Sequence, residues 1–216
     1  MKEEILVKNF IYEKESKYSV IKRIIDIILS LCALFFLWPI LLLIALIIRI
    51  DSNGPVIYKH YRLGKNGKIF GIYKFRTMVS NADEILKNFT KEQKEEFEKN
   101  YKLENVPRIT KVGDFLRKTS LDELPQILNI LKGDMSIIGP RPVVLKEIEK
   151  FGNLKDKYLS VLPGLTGWWA CNGRSCTTYD ERIALEMYYI DNQSLKLDIK
   201  CFFKTILAVI KRNGAV

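Results

Sequence analysis

The sequence has little histidine and cysteine. Its 216 residues include one histidine, His60, and four cysteines, none of them paired at CxxC spacing. A structural zinc site needs several such ligands close together, so we expect none here, and we expect the thiols to be reduced. His60 lies among tyrosines on a predicted strand and is interpreted as structural. Internal repeats, low-complexity tracts and interdomain linkers are also lacking, which indicates one domain.

The charge is unbalanced. Lysine and arginine total 35 against 25 acidic residues, giving a net charge of +10, while 48% of the residues are hydrophobic and suffice for a core. The excess of positive charge indicates an anionic partner: nucleic acid, lipid headgroups or phosphorylated substrates. Charge alone does not choose among these three.

One segment lacks charge entirely. Ile27 to Ile48 runs for 22 residues, and 16 of them are Leu, Ile or Phe. As a helix this segment would be about 33 Å long, the thickness of a bilayer core. It is longer than the apolar region of a signal peptide and ends at charged residues, so we expect it to remain attached in a membrane.

Two membrane topologies remain open for this segment. Pro39 lies just past its midpoint and favours a sharp bend. Basic residues flank both ends, with Lys22 and Arg23 before it and Arg49 after it, so the positive-inside rule assigns no direction. Both a kinked span and a re-entrant helix that enters and leaves by the same face fit. The predicted divisions are a lead-in (1–20), a membrane helix (21–50) and an interfacial domain (51–216).

The tail is a second candidate for membrane contact. Residues 194–214 predict an amphipathic helix that carries Lys196, Lys200, Lys204 and Lys211 on one face. Such a face suits an anionic membrane surface. A helix packed on the core with solvated lysines is the alternative, and the two are compatible.

Several shorter elements are expected between these segments. Two alternating stretches around Lys65, Asn66 and Gly67 predict a β-hairpin beside the membrane. Short helices are predicted at 81–88, 90–102, 112–119 and 125–132, the last of which begins at Pro125 and stops near Gly133. The predicted fold class is therefore α+β, with short helices and a hairpin attached to a membrane helix.

Adjacent carboxylates, Asp122 and Glu123, stand out in this basic chain. In one interpretation, Ser120 and Glu123 form a capping box at a helix start. A helix beginning at Leu121 would then place Pro125 where a backbone donor is needed. In the other, the helix begins at Pro125, and both acids precede it, free to face a ligand or a metal.

The surroundings of the carboxylates favour phosphoryl transfer. Glycoside hydrolysis needs two carboxyl groups on opposite sides of a sugar, which neighbours in sequence do not readily provide. In phosphoryl transfer, one carboxylate attacks phosphorus, another holds Mg²⁺, and arginines neutralise the phosphate oxygens. Arg141 stands between two prolines in a stiff loop that suits phosphate binding. Lys74 and Arg76 share one face of a strand and are further candidates.

The order of these motifs resembles a known family. "KRIIDIILS", "YKFRTM", "PRITKVGDFLRKTSLDELPQILNILKGDMSIIGPRP", "PGLTGWWACNGRS" and "DIKCFFKTILAVIKRNGA" resemble the bacterial sugar transferases called small monotopic phosphoglycosyl transferases, or polyprenyl-phosphate hexose-1-phosphate transferases. The resemblance covers roughly residues 22–215. Departures are Trp169 and Cys171 in the fourth motif and Lys196 in the tail.

The resemblance implies roles for particular residues. Asp122 looks like the nucleophile that attacks the β-phosphate of a nucleoside-diphosphate sugar, and Glu123 looks like the Mg²⁺ ligand. Arg117 and Arg141 match phosphate-binding arginines. The remaining correspondences concern the membrane: a re-entrant helix broken at Pro39, with Lys22 and Arg23 at the cytoplasmic interface.

The resemblance also implies partners and a location. Polyprenyl phosphate would be the acceptor in one leaflet of the bacterial inner membrane, with the catalytic domain on the cytoplasmic face, starting a capsule, exopolysaccharide or lipopolysaccharide. A nucleic-acid partner is not expected, and a homodimer is compatible with the sequence. Two alternatives remain open: direct displacement without a covalent intermediate, in which Asp122 activates the lipid phosphate or binds metal, and a membrane-anchored adaptor that binds anionic partners.

Overall fold

The structure is an α+β protein, as predicted. It is a computed structural model that describes residues 17–82, 85, 108–173 and 177–210. Its α-helices are α1 (Lys17–Asp51), α2 (Lys111–Thr119), α3 (Ile127–Lys132), α4 (Leu145–Ile148), α5 (Lys155–Leu159), α6 (Trp168–Asn172), α7 (Tyr179–Asp191) and α8 (Leu195–Ile210). Its strands are β1 (Ile57–Leu63), β2 (Ile69–Phe75), β3 (Ser136–Ile138) and β4 (Gly164–Thr166). The predicted helix at 90–102, most of the one at 81–88, and lead-in residues 1–16 lie outside the described residues.

The apolar segment forms one long helix. Helix α1 contains 35 residues, about 52 Å of helix, and begins four residues before the predicted membrane helix. Pro39 lies inside it and removes one intrahelical donor, yet the helix continues on both sides. The helix is long and apolar enough to cross a membrane.

Both ends of α1 contact the same α+β domain. Near the first end, the buried Asp26 carboxylate accepts a hydrogen bond from the Ile137 N–H at 3.0 Å. Near the other, Ile44 and Ile48 pack in a core cluster with Phe75. The apolar side chains between these contacts are largely exposed, among them Phe35, Phe36, Trp38, Leu42 and Leu43. The middle of the helix is therefore the part left uncovered by the domain.

The basic residues predicted as interface anchors are bound to the domain. Lys22 Nζ lies 2.7 Å from the Asp198 carboxylate on α8. The Arg23 guanidinium donates to the carbonyls of Ile130 and Leu131 at 2.5 and 2.8 Å. These carbonyls end helix α3, where a cation also complements the helix dipole. Both side chains thus fasten α1 to the domain.

The predicted hairpin is confirmed. Strands β1 and β2 pair antiparallel, with Ile57 opposite Phe75 and Leu63 opposite Ile69. The connecting turn places Asn66 at φ 58° and Gly67 at φ 72°, a left-handed conformation that these residue types adopt readily. The hairpin therefore follows from local turn chemistry.

A second, parallel pair of strands brings two loops together. Ser136 of β3 lies opposite Gly164 of β4. A Cβ atom on Gly164 would lie 2.1 Å from the Gly139 backbone nitrogen, so glycine is required for the close approach. This approach places the Gly139–Arg141 loop beside the segment that leads into α6.

Helix α8 packs on the core and also presents an apolar outer face. Leu197, Asp198 and Cys201 are buried against the domain. Its outward apolar side chains are Ile199, Phe202, Phe203, Ile206 and Leu207. The packing of α8 on the core is confirmed, and contact of this helix with a membrane stays a prediction. Lys211 lies outside the described residues.

Candidate active site

The carboxylate pair lies in a tight turn between two helices. Helix α2 ends at Thr119, and Ser120 takes a left-handed conformation at φ 57° that redirects the chain. Residues Leu121–Gln126 then form a 3-10 helix that contains Pro125, and α-helical geometry resumes only at Ile127. The capping-box interpretation is wrong, because the Ser120 side chain makes no capping hydrogen bond. The α-helix also starts two residues after the predicted Pro125.

Lys74 joins the two carboxylates. Its Nζ lies 2.6 Å from Glu123 Oε1 and 3.6 Å from Asp122 Oδ2. Asp122 is 8% exposed, whereas the Glu123 side chain is one-third exposed. The nucleophile candidate is thus the more enclosed of the two acids, and a single cation serves both.

Asn129 fixes the position of this group. Its buried side chain accepts a hydrogen bond from the Tyr73 N–H at 2.9 Å and donates to the Gly71 carbonyl at 2.8 Å. These two hydrogen bonds hold α3 against β2. Because Tyr73 precedes Lys74, they hold the part of β2 that carries Lys74 beside the turn with the carboxylates.

The electrostatics of Asp122 combine opposing effects. Burial raises the pKa of Asp122, while the positive charge of Lys74 lowers it. The neighbouring Glu123 carboxylate raises this pKa further, and Arg117 lowers it. An enclosed carboxylate kept in balance by cations is typical of sites where a nucleophile must be ionised but not tightly solvated.

A Lys74→Met substitution should shift the pH profile of the enzyme. Without the cation, the pKa of Asp122 rises further, so less of it is ionised at neutral pH. We expect the acidic limb of kcat/KM against pH to move to higher pH by about one unit or more. The measurement is the rate of turnover as a function of pH between pH 5 and 9.

Lys118→Met is the matched control for this substitution. Lys118 also pairs with a carboxylate, Asp114, at 2.7 Å, but both side chains are exposed on α2. Such a surface pair contributes little, so the acidic limb should keep its position. An unchanged limb in Lys74→Met would mean that Lys74 does not control Asp122.

A pocket opens beside the carboxylates. It encloses about 500 Å³ of empty space, part of it open to solvent. The side chains that line it include Arg62, Lys74, Glu123, Gln126, Arg141, Thr166, Trp169 and Glu186. Three cations in one pocket suit a ligand with several negative charges, such as a diphosphate.

The pocket's donor set fits a phosphate-bound magnesium ion. No group of three or more His, Cys, Asp or Glu side chains that could hold a metal occurs in the part of the chain that the structure describes. Magnesium usually binds through one or two carboxylates together with substrate phosphates, and needs no larger protein cluster. Glu123 lines the pocket and the adjacent Asp122 lies just before it in sequence, so one carboxylate is available in the pocket and a second is close by.

Arg141 stands in the pocket on a fixed backbone. Its N–H donates to Glu186 Oε1 at 3.0 Å, and its carbonyl accepts a hydrogen bond from the Tyr158 hydroxyl. The guanidinium carbon lies 5.6 Å from the centre of the Trp169 ring. The side chain is thus presented from a held main chain.

Arg117 and Arg76 are placed differently. Arg117 Nε donates to Thr77 Oγ1 at 3.0 Å. Burial lowers the pKa of Arg117 and the charge of Asp122 opposes this, so the two groups interact. Arg76 is directed instead to the end of α1, where its guanidinium donates to the carbonyls of Ser52 and Pro55 at 2.6 Å each. It does not line the pocket.

Two residues that line the pocket, Arg62 and Glu186, were not predicted as site residues from the sequence. Arg62 lies on β1, and burial and the charge of Arg141 lower its pKa, which indicates two neighbouring cations. Glu186 lies far along the chain on α7. His60, interpreted as structural, has its pKa lowered to about 4 by burial and by nearby cations, so it is neutral at physiological pH. Residues two apart on a strand share a face, so the sequence could have placed Arg62 on the same face of β1 as His60.

The α+β domain thus carries a long apolar helix and a pocket in which Glu123 lies among three cations, a site suited to anionic ligands. Comparison gives the family. The model of the family described as bacterial sugar transferase matches residues 17–212. The chain therefore belongs to the bacterial sugar transferase family, of the phosphoglycosyl transferase type.

Curated relatives are similar over nearly the whole chain. An undecaprenyl-phosphate galactose phosphotransferase of Salmonella typhimurium is 43% identical over 97% of this chain, which spans 44% of that protein. The exopolysaccharide production protein ExoY of Sinorhizobium fredii is 44% identical over 90% of this chain and 87% of its own length. A UDP-glucose:undecaprenyl-phosphate glucose-1-phosphate transferase of Escherichia coli is 39% identical, with 86% of this chain and 39% of the relative covered.

Proposed function

We propose that this protein transfers a sugar-1-phosphate from a nucleoside-diphosphate sugar, a UDP-sugar, to undecaprenyl phosphate and so starts a glycan on a lipid carrier. The observation that carries the proposal is the enclosed Asp122, which Lys74 joins to Glu123, while Lys74 and Glu123 line a pocket together with Arg62 and Arg141. Names of relatives refer to undecaprenyl phosphate, and one refers to UDP-glucose. An adaptor that only binds anionic partners would not need a buried carboxylate joined by a lysine to a second carboxylate.

The proposed mechanism has two displacements. An Asp122 carboxylate oxygen attacks the β-phosphorus of the donor, a new O–P bond forms, and the bond to the departing nucleoside monophosphate breaks. An oxygen of the lipid phosphate then attacks the same phosphorus, which releases Asp122 and gives the lipid diphosphate sugar. Lys74, Arg62 and Arg141 offset the phosphate charges during both steps.

Magnesium is part of the proposal. Glu123 would hold the ion together with donor phosphates, and the ion would supply charge neutralisation at the leaving phosphate. Glu123 is the better placed of the two for this task, since its side chain is more exposed and Asp122 must remain available for attack.

The test uses purified protein in lipid nanodiscs with Mg²⁺ and UDP-glucose or UDP-galactose. With undecaprenyl phosphate we expect a lipid-linked sugar and one nucleoside monophosphate per turnover. Without acceptor, we expect the intact protein mass to rise by one hexose phosphate. Product without any adduct would favour direct displacement, and neither product nor adduct from any nucleotide-sugar donor would refute the function.

We further propose that α1 is re-entrant and lies in one leaflet, with the domain on the cytoplasmic face. The support comes from contacts: Asp26 and Ile48 lie near opposite ends of the apolar stretch, and both contact the same domain. A domain on one side of a bilayer cannot hold both ends of a spanning helix. The exposed apolar face of α8 would lie at the same interface.

Cysteine labelling tests this topology. In a background without the four native cysteines, the exposed residues Lys17 and Asp51 are replaced separately by cysteine. A membrane-impermeant maleimide should label both positions in inverted inner-membrane vesicles and neither in spheroplasts. Opposite labelling of the two positions would establish a full span instead.

A further inference from the structure

Glu186 lines the pocket and has one carboxylate oxygen that is not used in a hydrogen bond among the described residues. Its side chain on α7 is 1% exposed, and Oε1 accepts the hydrogen bond from the Arg141 N–H. Oε2 is buried without a hydrogen-bond partner among the described residues. Other buried side-chain atoms of the described residues also lack a hydrogen-bond partner, but among them only Glu186 Oε2 belongs to a residue that lines the pocket. A buried acceptor left unpaired is costly, so a ligand group at this position would be stabilised.

The protonation behaviour of Glu186 restricts the ligand group. Burial raises its pKa to about 7, against the hydrogen bond from the Arg141 N–H and the charge of Arg182. Both protonation states therefore occur near neutral pH. A hydroxyl group bonds either state, because it donates to a carboxylate and accepts from a carboxylic acid. A carbonyl would bond only the protonated form, and a cation only the ionised form.

The position of Glu186 points to the hydroxylated ring nearest the reacting phosphate. Its carboxyl group holds the main chain of Arg141, which shares the pocket with Glu123 and Lys74. The donor's attacked phosphate carries the transferred sugar, whereas the ribose is one phosphate further away. Trp169 and Thr166 line the same pocket and complete a surface of one aromatic ring and a few polar groups.

We propose that Glu186 Oε2 hydrogen-bonds a ring hydroxyl of the transferred sugar, which makes Glu186 a specificity-determining residue. This inference rests on the function proposed above and adds to it a contact that discriminates between sugars. A site built to bond a hydroxyl rejects an analogue that lacks it, because the buried group is then left unpaired.

The test combines substitutions in the protein with the removal of single hydroxyl groups from the substrate. The probes are UDP-glucose and UDP-galactose, their analogues deoxygenated singly at sugar positions 2, 3, 4 and 6, and a 2′-deoxyuridine donor. We expect wild-type kcat/KM to fall about 10- to 100-fold for one sugar position. Glu186→Met has nearly the same length but no group that bonds a hydroxyl strongly, so in this variant the penalty at that position should shrink to about threefold or less, whatever uniform loss follows from leaving the Arg141 N–H unpaired.

Controls separate this role from others. Glu149→Met removes an exposed carboxylate that pairs with Lys155 on the surface and should reproduce the wild-type profile. An equal loss for every donor in Glu186→Met, with the wild-type penalty intact, would mean that Glu186 acts only through Arg141 and would overturn the proposal. A penalty that vanishes only for the 2′-deoxyuridine donor would assign the contact to ribose, with the same consequence.

Two further outcomes are decisive even if the variant does not fold. If wild-type kcat/KM were the same for all four deoxy analogues, the proposal would be overturned without any substitution. Glu186→Asp, whose side chain is one methylene shorter, provides a second variant. Wild-type protein inactive with all nucleotide-sugar donors would refute the proposed function itself, and the role of Glu186 would fall with it.

Discussion

Replacing Asp122 with asparagine should reduce turnover by about 10³-fold or more, the largest effect expected for any single substitution in this protein. The amide has nearly the same shape as the carboxylate, but it cannot form the acyl phosphate with the sugar phosphate. The hexose-phosphate mass increase expected without acceptor should therefore not occur. Intact-protein mass spectrometry and the rate of lipid-linked product formation measure the two effects.

Binding should survive this substitution. Lys74, Arg62 and Arg141 remain in place, so the variant should still bind the nucleotide sugar, and isothermal titration would detect this. If Asp122→Asn still acquired the adduct, another residue would be the nucleophile. If it lost turnover while wild-type protein formed product without any adduct, Asp122 would act as a base or a metal ligand in a direct displacement.

Replacing Glu123 with glutamine should produce the second largest effect. With Glu123 in its proposed role as a magnesium ligand, loss of its charge weakens magnesium binding, so we expect kcat to fall about 100-fold and the Mg²⁺ concentration for half-maximal rate to rise about 10-fold or more. Steady-state rates measured across a Mg²⁺ titration from micromolar to tens of millimolar test both numbers.

The signature that identifies a metal ligand is partial rescue by the ion. High Mg²⁺ should recover part of the Glu123→Gln rate and none of the Asp122→Asn rate. Asp114→Asn, which changes an exposed acid on α2, is the control and should leave the titration unchanged. A Glu123→Gln enzyme with reduced kcat but an unaltered Mg²⁺ requirement would assign Glu123 to holding Lys74.

Local patterns in the sequence predicted the elements that depend on local chemistry. The hairpin follows from Asn66 and Gly67, and the stop of α3 follows from Gly133, which takes a left-handed φ of 87°. The adjacency of Asp122 and Glu123 needed no tertiary information. Their distinct surroundings did, because the burial of Asp122 and the position of Lys74 arise from distant parts of the chain.

Where prediction failed, a tertiary contact overrode a local preference. Ser120 and Glu123 have capping-box spacing, but the left-handed Ser120 turns the chain and Lys74 takes the Glu123 carboxylate. Arg76 shares a strand face with Lys74, yet carbonyl groups at the end of α1 bind its guanidinium. Glu186 carried no local signal, since its role depends on the Arg141 loop lying against α7.

The contacts of α1 bear on how this domain can be engineered. Arg23 and Asp26 bond main-chain groups at the end of α3 and in β3, so α1 is a structural part of the domain that carries the candidate site. Deleting it would not release a soluble enzyme, because it would strip the core of Ile44 and Ile48 and leave the Ile137 amide exposed or unpaired. Any shortened or fused version should therefore keep α1 with the domain, and solubility should be sought by changing its exposed middle.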